Sequence, residues 1–134
     1  LSLTSLRRLK GVDERLVKVV KRAALLATDK EDFTVLEGLR SRARQRQLYA
    51  QGRTAPGNVV TWTLNSKHIE GRAVDLLPYP EGWKAPLTKF DSIAALIFKA
   101  AKLEGVTIRW GADWDRDGKP RERKETDSPH FELA

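Results

Sequence analysis

The sequence predicts an α+β fold in one domain, and three observations predict it. Three segments carry apolar residues at the three- and four-residue steps of a helix. Between and after them lie short runs rich in β-branched and aromatic residues, bounded by glycine and proline. The two kinds of segment are interspersed with no repeat and no linker, and 134 residues is an ordinary length for one domain with its own core.

The first ten residues lead to Gly11 and are assigned no element. From Asp13 to about Thr28, Leu16, Val19, Val20, Ala23 and Leu26 form one face of an amphipathic helix. Asp13 is placed to cap it and Glu14 suits the positive end of the helix dipole. Lys18, Lys21 and Arg22 read as its solvated face. Phe33 to Leu39 reads as a strand. Ser41 then caps a second helix, Arg42 to Gln51, with Ala43, Gln47 and Ala50 on one face and Arg44 and Leu48 on another, closed by Gly52. Arg53 to Thr63, around Pro56-Gly57-Asn58, is a loop. Ala73 to Leu77 is a short buried strand with an acid at its centre, followed by a loop marked by Pro78, Pro80, Gly82 and Pro86. The clearest helix opens at Phe90-Asp91-Ser92, buries Ile93, Leu96, Ile97, Ala100 and Leu103, and ends at Gly105. Val106 to Trp110 is a strand, Gly111 to Thr126 a polar and charged excursion, and His130 to Leu133 a final strand.

Composition narrows the function classes. A chain with 40% hydrophobic and 32% charged residues is that of a soluble globular protein, not a disordered one. No run approaches the roughly 18–20 apolar residues of a membrane span. Arg7-Arg8 is followed by no apolar region, so no secretory signal is expected. The absence of cysteine rules out disulfides and thiolate chemistry, and leaves any metal site to His, Asp and Glu. A net charge of +7 points to an anionic partner: nucleic acid, a membrane surface or an acidic polymer.

Both histidines fall in stretches that also carry carboxylates: Ser66-Lys-His68-Ile-Glu-Gly71-Arg-Ala73-Val-Asp75, and Asp127-Ser-Pro-His130-Phe-Glu132. Imidazole nitrogen with carboxylate oxygen is a donor set that suits Zn²⁺, and three such ligands leave a fourth position open for water. Asp75, flanked by Ala73, Val74, Leu76 and Leu77, sits in low dielectric and needs a cation. Gly71 allows the chain to bend so that His68 and Asp75 converge. Two readings stand for this pair: a zinc site from His68, Asp75 and His130, or Asp75 salt-bridged to an arginine with His68 an ordinary surface histidine. Alternation puts His130 and Glu132 on one side of the last strand, with Phe131 and Leu133 on the other. Asp127, three residues before His130 and held by Pro129, suits a general base acting on water. Arg40, at the end of a strand, could point into a cleft; taken alone it reads as one of many surface arginines.

The spacing Ser66-x-His68-x-x-Gly71-x-Ala73-x-Asp75 followed by Asp127-x-x-His130 resembles the zinc D-Ala-D-Ala carboxypeptidase (VanY-like) peptidases. Within them it looks most like the phage L-alanyl-D-glutamate peptidase endolysins. Glu37-Gly-Leu-Arg40-Ser41, Gln45-x-x-Leu48-Tyr49-x-x-Gly52, Trp110-Gly111-x-Asp113-Trp114 and His130-Phe131-Glu132 extend the likeness over nearly the whole chain. Ala112 departs from it, standing where a second glycine is expected. The resemblance implies a small Hedgehog/DD-peptidase α+β fold, an antiparallel sheet with helices on one side, and residues 1–134 as a single zinc peptidase catalytic domain without a separate wall-binding domain. It implies one zinc held by His68, Asp75 and His130, with Asp127 as catalytic acid/base. Arg40 would lie against the substrate carbonyl or carboxylate, and Ser66 and Gln45 would line or support the site. The implied substrate is the peptidoglycan stem peptide, cut between L-Ala and D-Glu by a monomer. The positive charge would steer it to the anionic envelope, with neither nucleic acid nor a membrane span involved. The enzyme would be made in the host cytoplasm and reach the wall after membrane permeabilisation, for host lysis.

Asp113-Trp-Asp115-Arg-Asp117-Gly118 matches the opening of a calcium loop, yet position twelve is Lys124 instead of a bidentate Glu. An acidic turn and a Ca²⁺ site built on Asp113, Asp115 and Asp117 both remain open. Two further functional readings stand beside the endopeptidase. One is a D,D- or L,D-carboxypeptidase or dipeptidase of the same family. The other is a basic, non-catalytic envelope- or nucleic-acid-binding module, suggested by Arg40, Arg42, Arg44 and Arg46. Among the tryptophans, Trp110 reads as core, and Trp62 and Trp83 as cleft residues.

Overall fold

Short-range signals set most of the element boundaries in the computed structural model, which describes residues 1–59, 67–113, 120–121 and 127–134. Helix α1 (Leu3–Arg8) starts at Ser2, whose hydroxyl accepts from the Ser5 N–H. Six residues are too few to announce a helix by periodicity, and α1 is held by tertiary contacts instead. Ser5 Oγ accepts from the Val35 N–H at 3.0 Å, and the Arg8 guanidinium donates to the Val35 carbonyl at 3.0 Å. Together these side chains satisfy backbone groups on the outer edge of strand β1 (Phe33–Glu37), an edge that would otherwise invite pairing with another chain.

Helix α2 (Glu14–Leu26) is capped by Asp13, whose carboxylate accepts from the Arg15 N–H at 2.9 Å. It stops two residues short of the expected Thr28, which instead starts a 3₁₀ turn over Asp29–Glu31. Strand β1 ends at Glu37, not Leu39; a bulge after Val35 shifts its register, and Glu37, opposite Asp75, is its last paired residue. Helix α3 (Arg42–Ala50) has Ser41 as its cap and buries only Gln45. Strand β2 (Ala73–Pro78) runs one residue further than expected.

Helix α4 (Leu87–Glu104) begins three residues before the expected Phe90, with Pro86 at its N-cap, and closes at Gly105 in the left-handed conformation. Its buried face is Ile93, Ala94, Leu96, Ile97, Ala100 and Ala101. Leu103, expected in that stripe, is 56% exposed. The inner face turns instead toward Ala101 and Glu104, whose carboxylate meets Arg22 of α2 at 2.7 Å. Strand β3 (Ile108–Trp110) starts two residues later than expected, and β4 (His130–Leu133) as expected.

The sheet is antiparallel throughout, in the order β1-β2-β4-β3. Phe33, Val35, Val74, Leu76, Ile108, Trp110, Phe131 and Leu133 belong to one core cluster with the apolar faces of α2 and α4. Trp110 and Phe131 stack there nearly parallel, with ring centroids 6.3 Å apart. Alternation then sends Asp75, Leu77, His130, Glu132 and Arg109 to the opposite face. A small second cluster of Leu77, Ala85, Phe90 and Leu36 covers part of that face. No helix among the described residues is long and apolar enough to cross a membrane.

Candidate metal centre and active site

Sheet register builds the centre of the site. Asp75 in β2 lies directly opposite His130 in β4, and on its other side it is partnered by Glu37 of β1. The bulge after Val35 is what turns Glu37 toward Asp75: without the extra residue, strict alternation would put Glu37 on the Val35 face, in the core. His68 arrives from a turn at residues 67–71. Gly71 makes that turn possible, with φ +69°, and a Cβ there would strike the Gly11 carbonyl oxygen. The turn is docked by the Asp13 N–H on the Gly71 carbonyl at 2.7 Å, and by the Arg40 N–H on the His68 carbonyl at 2.9 Å.

His68, Asp75 and His130 converge, each offering a donor atom within 4.8 Å of the others. Asp75 Oδ2 lies 3.3 Å from His68 Nε2, and Oδ1 lies 3.2 Å from His130 Nδ1. The two rings meet edge to face at 5.0 Å. His68 is 1% exposed, which sets aside the reading of a surface histidine. Each ring has its remaining nitrogen on an oxygen: His68 Nδ1 is 2.8 Å from the Gly38 carbonyl, and His130 Nε2 is 2.9 Å from Glu132 Oε1. A carbonyl can only accept, so Nδ1 of His68 donates to it, which leaves Nε2 as the nitrogen that faces Asp75. Second partners of this type are what fix ring orientation in metal sites.

The electrostatics favour a cation. Burial alone would raise the Asp75 carboxyl and lower His130, but their mutual contacts overrule it. Hydrogen bonds from His130 and then His68 hold Asp75 well below the usual carboxylate range. Hydrogen bonds to Asp75 and Glu132, with the nearby charge of Asp127, push His130 up to about 9. A pocket that draws a proton this strongly between carboxylates and imidazoles has the donor chemistry and charge to draw a divalent metal there.

Asp127 stands beside this group and outside it, its carboxylate 3.8 Å from His130 Nδ1 and 53% exposed. Its backbone is pinned by Gly111: the Asp127 N–H donates to the Gly111 carbonyl at 3.1 Å, and the Gly111 N–H donates to the His130 carbonyl at 2.8 Å. Partial burial first, and then the negative charge of Asp75, raise the Asp127 carboxyl. A raised carboxyl reachable from solvent is suited to passing protons. Arg121, from the segment before it, donates to Ser128 Oγ at 3.1 Å and to Asp91 of α4 at 2.8 Å, tying down the Asp127 loop.

Arg40 is buried, with 9% of its surface exposed, not on the surface. Glu37 grips it with both oxygens, at 2.8 and 2.7 Å, and Gln45 Oε1 accepts from it at 2.6 Å. The guanidinium lies 3.7 Å from Asp75 Oδ2. Gln45 is fully buried beneath it. The expectation for Ser66, those for Asp115 and Asp117 in a calcium loop, and that for Trp62 lie outside the described residues. Asp113 is described, its N–H donating to the Trp110 carbonyl at 3.0 Å. Trp83 is largely exposed and Trp110 is in the core.

Glu37, the Gly38 carbonyl and the pairing of Glu132 with His130 were not anticipated as parts of the site. The alternation of β4 already set Glu132 beside His130; nothing in the sequence signals the bulge that delivers Glu37.

A His-Asp-His cluster on one face of a small antiparallel sheet, with the Asp127 carboxylate and a clamped arginine beside it, has the donor set and proton carrier that suit a metal-dependent hydrolase. The family described as phage L-alanyl-D-glutamate peptidase matches residues 1–134, and the chain belongs to that family. It is 33% identical over 134 residues to the L-alanyl-D-glutamate peptidase of Escherichia phage T5, covering 96% of this chain and 93% of that protein. It is 33% identical over 111 residues to the peptidoglycan L-alanyl-D-glutamate endopeptidase CwlK of Bacillus subtilis, covering 76% of this chain and 60% of the relative. Among solved structures it is similar to the Serratia marcescens L-Ala D-Glu endopeptidase ChiX. There the TM-score is 0.77 at 32% identity, over 100% of this chain and 89% of the other.

Proposed function

We propose that this chain is a zinc-dependent endopeptidase that cuts the L-Ala–D-Glu bond of peptidoglycan stem peptides, and that it serves as a phage endolysin in host lysis. The observation that carries this reading is the convergence of His68, Asp75 and His130 within 4.8 Å in a chain of this family. His68 through Nε2, Asp75, and His130 through Nδ1 would hold the zinc. When bound, zinc supplies a Lewis acid that polarises the scissile carbonyl and acidifies water.

The chain's own groups account for the rest. Asp127 accepts a proton from the attacking water as its oxygen bonds to the carbonyl carbon. As the C–N bond breaks, Asp127 returns that proton to the leaving amine of D-Glu. Arg40, fixed by Glu37 and Gln45, supplies positive charge for the developing oxyanion or for a substrate carboxylate without having to reorganise. The net charge of +7 favours an anionic wall polymer. Action at the wall after the membrane has been breached, as a monomer and as one catalytic domain, completes the proposal.

Digestion of purified peptidoglycan by the zinc-loaded protein tests it. New N-terminal D-Glu is the expected product. Released D-Ala would transfer the chain to the carboxypeptidase reading, and full activity after metal chelation would sink the metal reading.

A further inference from the structure

Glu37 and Glu132 are the carboxylates of the site with no role in binding metal or moving protons; Glu37 clamps Arg40, and Glu132 has been given none. Glu132 is 7% exposed, and it lies two residues along β4 from His130, on the same face. Its Oε1 is 2.9 Å from His130 Nε2, a buried contact. Across the sheet its register neighbours are Ala73 and Arg109, and no ion pair joins Glu132 to Arg109 within 4.0 Å among the described residues. A buried carboxylate is costly without a partner, so its place is explained by the imidazole it contacts.

Neutral histidine presents one N–H and one lone pair, and the acceptor on one nitrogen decides which nitrogen keeps the proton. Carboxylates face both nitrogens of His130; where a metal would replace the proton between Nδ1 and Asp75, Glu132 keeps the proton on Nε2 and leaves the lone pair on Nδ1. Nδ1 is the nitrogen facing Asp75 at 3.2 Å and Asp127 at 3.8 Å. His68 is fixed the opposite way round, by the Gly38 carbonyl on Nδ1. The two histidines thus use different nitrogens, and the second depends on a side chain that mutation can remove.

We propose that Glu132 is a positioning residue. It locks His130 in the tautomer and orientation that present Nδ1 to the metal, and it makes the ring a stronger donor. The inference rests on the metal reading of the site, and zinc binding is its main readout. Zinc affinity is measured by competition with a chromophoric chelator for the wild type, Glu132→Gln and Glu132→Ala, with thermal unfolding of the metal-free proteins alongside. Glu132→Ala is expected to lose about 10–100-fold in zinc affinity. Glu132→Gln, whose amide oxygen still accepts from Nε2–H, should keep most of it. In the zinc-loaded wild type, long-range ¹⁵N–¹H spectra should show the His130 proton on Nε2.

Equal zinc affinity in all three proteins overturns the inference while leaving the metal reading intact. So does a His130 proton on Nδ1. Losses of affinity that are the same for Gln and Ala, and that track lowered unfolding temperature, reduce Glu132 to packing and also overturn it. A wild type that takes up no zinc overturns this inference and the metal reading together.

Discussion

Gly111→Ala probes how the fold delivers Asp127. Gly111 and Asp127 exchange no side-chain contact; the link is backbone on backbone. A Cβ built on Gly111 would strike the Asp127 carbonyl oxygen and come within 2.8 Å of the Asp127 Cβ. Neither atom is the tip of a flexible side chain, so relief requires the Asp127 backbone to shift. Separations of ordinary van der Waals contact, about 3.5 Å, imply a displacement on the order of 1 Å. A misplacement of that size at a reacting group costs about 10²-fold in rate.

Overpacking of this kind also destabilises by about 1–3 kcal/mol, which for a chain this long lowers the unfolding temperature by roughly 4–10 °C. Gly111→Ala should therefore cut kcat on a stem-peptide substrate by about 10–10²-fold at a temperature well below its unfolding transition, with a smaller change in KM. The assay is steady-state release of the new amine, run beside a thermal melt. A variant with kcat within twofold of the wild type would refute the reasoning, because it would mean that Asp127 tolerates the displacement or does not move protons.

Two further predictions concern stability. Ile97, 1% exposed at the centre of the α4 face against the sheet, should cost about 2–5 kcal/mol as Ile97→Ala, read by chemical denaturation; a loss under 1 kcal/mol would contradict its place in the core. Asp13 carries a pH-dependent share of stability. Its hydrogen bonds from the Arg15 side chain and then the Arg15 N–H lower its carboxyl to about 2 in the folded chain. A folded value below the unfolded one stabilises above the ordinary carboxylate range and loses that stabilisation as pH falls through about 2. The gap in unfolding temperature between wild type and Asp13→Asn should be constant above pH about 5 and shrink toward pH 2; a gap unchanged across that range would show that the charge on Asp13 is not involved.

The sequence by itself determined the elements whose signals are local and repeated. The apolar stripes of α2 and α4 are long enough to register a 3.6-residue period, and Asp13, Ser41 and Gly105 mark helix ends through bonds or backbone angles confined to a few residues. Scarcity made the candidate metal centre legible: with no cysteine and two histidines, a His-Asp-His set had few other places to form. Helix α1 escaped notice because six residues carry no period, and Ser5 and Arg8 hold it by contacts some thirty residues away in sequence. Leu103 fits its stripe by spacing and is exposed, because the neighbour across each helical face is a tertiary fact.

Tertiary structure alone decided how the site is assembled. Antiparallel register sets Asp75 against His130, and a single bulged residue turns Glu37 from the core toward Arg40. Arg40 is one basic residue among 25; apart from a family resemblance, what distinguishes it is burial and the two side chains that clamp it. Residue identity limits which groups can bind a metal or carry a proton. Which nitrogen of each histidine faces inward is set by Gly38 and Glu132, through hydrogen bonds a few ångströms long that close only when the strands are paired.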